Sequence, residues 1–243
     1  MVFSSLFFLF LFLVLCYGVY LLAPTLKAQN TVLLVFSLVF YAWGGPPLVL
    51  LLCLETFICY VGAHLIASTD PSPTREGDSS LRRRFYMWVT VGMCLALLVV
   101  FKYTGFFANT IFGIFGADSP LPSVALPIGI SFYTFQLLTY VIDVYRKDAP
   151  AQKSYFNVLL YAALFHQCIA GPIVRYKTID RELFSGEPRH PQWHLGVSRF
   201  CAGLAKKVLL ANPCGALADA MILADSVARD AGQFAANAQV LES

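Results

Sequence analysis

The sequence predicts an all-α, polytopic integral membrane protein, a helical bundle accompanied by re-entrant or surface helices. Three observations predict it. Of 243 residues, 58% are hydrophobic and 13% charged, about half the charged share of an ordinary soluble domain. Uncharged stretches run from Met1 to Leu26 and from Ala28 to Leu54, each longer than the roughly 20 residues that cross a bilayer as a helix. The charges gather between apolar runs instead of forming one face of each element, as they would in a soluble fold. A net charge of +3, confined to loops, gives no electrostatic footprint for nucleic acid. The composition is neither disordered nor collagen-like.

The first helix is expected over residues 6–23, closed by Pro24 and Lys27. No Lys or Arg precedes Lys27, and the apolar run is too long for a signal peptide, so this span is read as retained. A second helix, 31–43, stops at Gly44-Gly45-Pro46-Pro47, which cannot continue it. A third covers 48–67. The segment 68–84, with Pro71, Pro73 and the Arg82-Arg83-Arg84 cluster, reads as a soluble linker, and a fourth span follows over 85–101. The stretch 104–126 is rich in Gly, Pro and Phe and reads as a connection with an interfacial element near 106–115. A fifth span is expected over 127–142. The sixth apolar segment, 155–174, is broken at Gly171-Pro172, and residues 175–207 carry seven Lys/Arg against three Asp/Glu. With the N-terminus outside, the basic loops around Lys27, Arg82 to Arg84 and Arg146, Lys147 and Lys153 all fall in the cytoplasm. A re-entrant or surface-lying sixth segment keeps the basic region 175–207 on that side as well. That makes five full crossings.

Polar residues inside apolar spans are candidate functional residues, because hydrocarbon makes them costly. In the fifth helix Tyr133, Gln136, Tyr140 and Asp143 recur at i, i+3, i+7 and i+10, within an arc of about 80° at 100° per residue. They line either a polar tunnel or a stripe that hydrogen-bonds neighbouring helices. Pro127 and Gly129 open that helix with an irregular start of the kind found where backbone lines a cavity or is buried in protein. Glu55 lies within the third span with no cation near it in sequence, and His64 falls on the opposite face. Glu55 is either a proton or ligand site or a buried acid held neutral by hydrogen bonds. His166 has no Ser/Asp partner motif and reads as a structural polar residue. His190 and His194 share an i, i+4 spacing, but Pro188 and Pro191 make them loop histidines before metal ligands. Arg175, Lys177, Arg181, Lys206 and Lys207 can hold a phosphate-bearing donor or flank an anionic lipid surface. The seven cysteines include no C-x-x-C pair, which removes the signal for a zinc site or a disulfide framework.

Several ordered motifs resemble the membrane-bound O-acyltransferase family. They are the Met1-Val2-Phe3-Ser4-Ser5 start, Phe40-Tyr41-Ala42-Trp43, Leu126-Pro127-Ile128-Gly129-Ile130-Ser131-Phe132-Tyr133 and Tyr140-Val141-Ile142-Asp143-Val144-Tyr145-Arg146. Ile169-Ala170-Gly171-Pro172-Ile173-Val174-Arg175 and Gly203-Leu204-Ala205-Lys206-Lys207-Val208 complete the set. The likeness covers residues 1–225 and is closest to the branch that acetylates alginate; 226–243 is a divergent polar tail.

The resemblance implies a bacterial cytoplasmic (inner) membrane enzyme that moves an acyl group from a thioester such as acetyl-CoA to hydroxyls of an exported polysaccharide such as alginate. It implies partner proteins in the periplasm and no bound cofactor. Ser131, Tyr133, Gln136, Tyr140 and Asp143 are then expected along a substrate tunnel, and Arg175, Lys177, Lys206 and Lys207 at the donor. The family's functional histidine lies in a Trp-His motif of the second half, which has no counterpart here; Trp193-His194 stands in another context. His166 occupies a position where similar proteins tend to carry Pro. The chain is therefore expected to be an N-terminal portion that supplies scaffold and part of a tunnel but no catalytic residue. The rival expectation is a non-enzymatic membrane scaffold or a transporter-like protein.

Overall fold

The computed structural model describes residues 5–69, 76–114, 129–167, 174–184 and 193–221. Most of these residues are helical, and no strand occurs among them. The chain divides into two compact units, the first from Ser5 to Pro188 and the second from Arg189 to Ser243.

In the first unit, α1 spans Phe8–Leu22 and opens with a π-helical turn over Phe8–Phe12. That turn stacks Phe8 on Phe12 at 5.5 Å, and the two rings pack with Phe40 and Phe165 at 5.5–6.1 Å. α2, Leu26–Ala42, begins at the Thr25 cap, whose hydroxyl accepts from the Ala28 N–H. The Gly44-Gly45 turn separates it from α3, Pro46–Ser68, with Gly45 at φ 153° and Pro in the first turn, where its missing N–H costs nothing. α4 spans Glu76–Ile114, 39 residues or about 58 Å at 1.5 Å per residue. α5 spans Ile130–Tyr145, α6 Tyr155–Ala163 and α7 Tyr176–Phe184.

α3 is the hub. It packs against α2, α4, α5 and α6, while α5 touches α3, α4, α6 and α7. The α3–α4 contact is close: a Cβ on Gly62 would lie 2.2 Å from the Thr90 hydroxyl, the small-residue approach by which helices pack without a water-driven hydrophobic effect. One turn of α3 away, the thiols of Cys59 and Cys94 meet at 3.3 Å.

Polarity is distributed in reverse of a water-soluble bundle. Glu55 and Thr56 of α3 are wholly buried, whereas Leu50, Leu54 and Phe57 of the same helix are exposed. α4 turns Phe85, Trp88, Met93, Val99, Phe106 and Phe107 outward. Such a continuous apolar exterior is far beyond the scattered apolar residues of a soluble surface.

Several expected boundaries are corrected. α4 starts inside the segment read as a linker and runs through Lys102 and Tyr103 into the stretch read as a broken connection. Charge is not a helix terminator: Arg, Lys and Glu are good helix formers, and a helix longer than the bilayer carries them at its ends. The sixth segment stops at Ala163, before the expected break. Nine residues span about 13 Å, less than half of a hydrocarbon core of about 30 Å. Of the five expected crossings, the structure gives two helices long and apolar enough to cross a membrane, in α3 and α4; α1, α2 and α5 are shorter. The motif residues Met1 to Ser4, Leu126 to Ile128 and Ile169 to Ile173, with Cys168, His190 and the tail 226–243, lie outside the described residues.

In the second unit α8 spans Trp193–Lys206 and continues as a π-helical turn over Lys207–Ala211 and a helix over residues 212–221. His194 is exposed on it.

Candidate functional site

α5 places the polar stripe. Gly129, at φ 76°, takes the left-handed conformation at its N-terminus, where a Cβ would be strained. Its carbonyl accepts the first helical bond, from the Tyr133 N–H. The C-terminus closes with the N–H of Asp148 on the carbonyl of Asp143 and the N–H of Lys147 on that of Val144, the Schellman pattern. Lys147 holds the left-handed position of that motif at φ 64°, where glycine is usual. Between these ends Tyr133, Thr134, Gln136, Tyr140 and Asp143 are all buried, and Phe132 and Phe135 face outward. Ser131, the remaining tunnel candidate, is half-buried.

Gln136 donates to the carbonyl of Tyr161 in α6 at 2.9 Å and reaches the Gln167 side chain at 3.5 Å. The Tyr140 hydroxyl accepts from the Gln152 N–H at 3.0 Å. The Gln152 side chain donates to the Tyr176 hydroxyl, which donates to Asp180 at 2.8 Å. Tyr161 donates to the carbonyl of Val174 at 2.8 Å. The Tyr140, Tyr161 and Tyr176 rings pack edge to face, with Tyr176 4.7 Å from Tyr140 and 5.3 Å from Tyr161. Burial and the Asp180 carboxylate push the Tyr176 phenol far above its ordinary value, so it stays a hydrogen-bond donor through the neutral range.

The stripe ends in charge. The Asp143 carboxylate lies in the field of Arg175 and accepts from the backbone N–H of Lys177; its Oδ2 makes no hydrogen bond among the described residues. Lys177 reaches Asp148 at 3.9 Å, with both side chains about half exposed. Tunnel and donor candidates thus meet at one place: Asp143, Arg175 and Lys177 share the C-terminal end of α5. Lys206 closes α8 and Lys207 opens the next turn, in the second unit.

Two contacts escape a reading of the sequence. Arg83 of α4 donates to the carbonyls of Val144 and Tyr145 at 3.3 and 2.5 Å and lies 5.3 Å from the Tyr145 ring centroid. A guanidinium there satisfies orphan carbonyls at the negative end of the helix dipole, and nothing in the Arg82-Arg83-Arg84 run distinguishes the middle residue. The second is Thr134 of α5 beside Glu55 of α3. Glu55 has no cation on it among the described residues, and His64 bonds instead to the Tyr60 carbonyl of its own helix at 3.1 Å. His166 is exposed at the end of the first unit's α6 turn, against the Phe165 ring. No group of three or more His, Cys, Asp or Glu able to hold a metal occurs among the described residues.

The chain is similar to curated proteins of two names. It is 36% identical over 227 residues to the "Probable alginate O-acetylase AlgI" of Pseudomonas aeruginosa, covering 90% of this chain and 41% of that protein. It is 34% identical over 250 residues to the protein of the same name in Azotobacter vinelandii, covering 99% and 48%. To the "Peptidoglycan O-acetyltransferase" of Helicobacter pylori it is 26% identical over 216 residues, covering 77% and 39%. The chain spans less than half the length of these relatives. No protein-family model and no solved structure matches it. The resemblance read from the ordered motifs is borne out by these homologues.

Proposed function

We propose that this chain, a homologue of proteins named alginate O-acetylase and peptidoglycan O-acetyltransferase, forms the membrane-embedded scaffold of a membrane-bound O-acyltransferase in a bacterial inner membrane. The observation that carries this reading is identity of 34–36% over at least 90% of the chain to two proteins so named. The apolar exterior of α3 and α4 supports insertion in the bilayer, with polar groups turned inward.

On this reading a polysaccharide hydroxyl attacks the carbonyl of an acetyl thioester such as acetyl-CoA. The C–O bond forms, the C–S bond breaks, and the hydroxyl proton ends on the thiolate by way of a general base. No residue of this chain is assigned as that base. The α5 stripe, Ser131 to Asp143, forms one wall of the substrate path. Its hydrogen bonds to α6 and to the segment leading into α7 hold that wall rigid. Arg175 and Lys177 attract the anionic part of the donor, Lys206 and Lys207 of the second unit are separate candidates for the same role, and periplasmic proteins receive the acetylated polymer.

The test is transfer of labelled acetyl from acetyl-CoA to polysaccharide in membranes from cells with and without the gene. Loss of transfer on deletion is expected; undiminished transfer overturns the reading. For the donor contact, Arg175→Ala with Lys177→Ala is expected to weaken acetyl-CoA binding about tenfold, the loss of about 1.4 kcal/mol. Unchanged donor binding rejects the assignment of that pair.

A further inference from the structure

We propose that Glu55 and Thr134 form a buried water-holding site at the contact of α3 and α5, in which Glu55 stands as a neutral acid that exchanges its proton with solvent through the bound water.

Both residues are wholly excluded from solvent. By geometry neither carboxylate oxygen of Glu55, nor the hydroxyl of Thr134, completes a hydrogen bond among the described residues, although the two side chains lie close enough to interact. Five other helical threonines supply an internal control, while Thr139 of α5 bonds to the carbonyl of Gln136 three residues earlier. The hydroxyls of Thr31, Thr56, Thr90, Thr104 and Thr110 each turn back to the carbonyl four residues earlier in their own helix, the ordinary resort of a threonine in an apolar setting. Thr134 does not take that bond and stands instead beside the Glu55 carboxyl.

An isolated buried carboxylate is strongly disfavoured without a counter-charge. Among the described residues the titratable side chains at the contact include the thiols of Cys59, one turn along α3, and Cys94 of α4, with the Tyr140 phenol of α5 near Cys59, and none of these is a cation. The neutral acid has one O–H donor and a free carbonyl acceptor, and threonine adds one donor and acceptor lone pairs. A water with two donors and two acceptors satisfies both side chains at once. That is the usual occupant of a buried site with several unmet polar atoms. The inference holds whether or not the chain takes part in acyl transfer.

Infrared spectra of the full chain in lipid nanodiscs, in H2O and in D2O, test it. The wild type is expected to show a carboxylic-acid C=O band that moves to lower frequency in D2O and is lost in E55Q. T134V should keep the band but raise its frequency, because the acid loses part of its hydrogen bonding. A carboxylic-acid region identical in wild type and E55Q means that Glu55 is ionised and overturns the proposal. A wild-type band that stays unshifted in D2O until the protein is unfolded means a dry site and overturns it equally. The wild-type isotope shift and T134V keep the test decisive if E55Q does not fold.

Discussion

α4 and α5 divide the properties of the bundle between them. In α4 the buried residues are Thr90, Cys94 and Leu98, and most of its outward residues are apolar. In α5 the inward residues include Tyr133, Thr134, Gln136, Tyr140 and Asp143, and phenylalanines face out. The contacts that hold α4 include the Gly62–Thr90 approach, the Cys59–Cys94 contact and the Arg83 bonds to the end of α5. α5 is tied on several sides by hydrogen bonds and buried rings. The same composition, rich in Leu, Val and Phe, thus serves two ends: in α4 it meets the surrounding apolar medium, in α5 it frames polar groups that must find partners inside.

The packing of α4 on α3 is most vulnerable at Gly62. Gly62→Ala forces α4 off α3 and is expected to cost about 3 kcal/mol, read by SDS-titrated unfolding in mixed micelles, with Thr90→Ala in the same chain recovering part of it. A smaller loss is expected at the α5 stripe: Gln136→Leu leaves the Tyr161 carbonyl unmet, at about 2 kcal/mol, while Phe135→Leu on the outward face stays near zero. Arg83→Met should cost about 1 kcal/mol by uncapping α5. Lys147→Gly, beside it, should raise stability by about 1 kcal/mol, because glycine takes φ 64° without strain. Val99→Ala, on the α4 exterior, has the smallest expected effect. It is expected to cost less than about 0.5 kcal/mol in lipid, since its apolar surface is in an apolar medium either way; a cost above 1 kcal/mol would show that Val99 packs against protein.

Much of the site was legible from spacing alone. An arc of about 80° on one helix brings Tyr133, Gln136, Tyr140 and Asp143 to the same side whatever surrounds them, and all four are buried. α3, read as 48–67 from its apolar run and the prolines before it, runs Pro46–Ser68. The ends of α4 were not legible, because charge marks where a helix leaves an apolar medium and not where its hydrogen bonding stops. Arg83 and Thr134 were invisible for another reason. Each acts through a contact with another helix, Arg83 on carbonyls 61 and 62 residues away and Thr134 on Glu55.

By itself the sequence determined that the chain is helical, that its exterior is apolar and that its polar residues turn inward, since these follow from composition and the 3.6-residue period. Only the tertiary structure decided which of the inward polar groups are satisfied. Gln136 finds the Tyr161 carbonyl, 25 residues away, at 2.9 Å, whereas Glu55, equally polar and equally buried, finds no such partner among the described residues. A hydrogen bond is made or lost over a fraction of an ångström, and that distance is set by how separate helices pack.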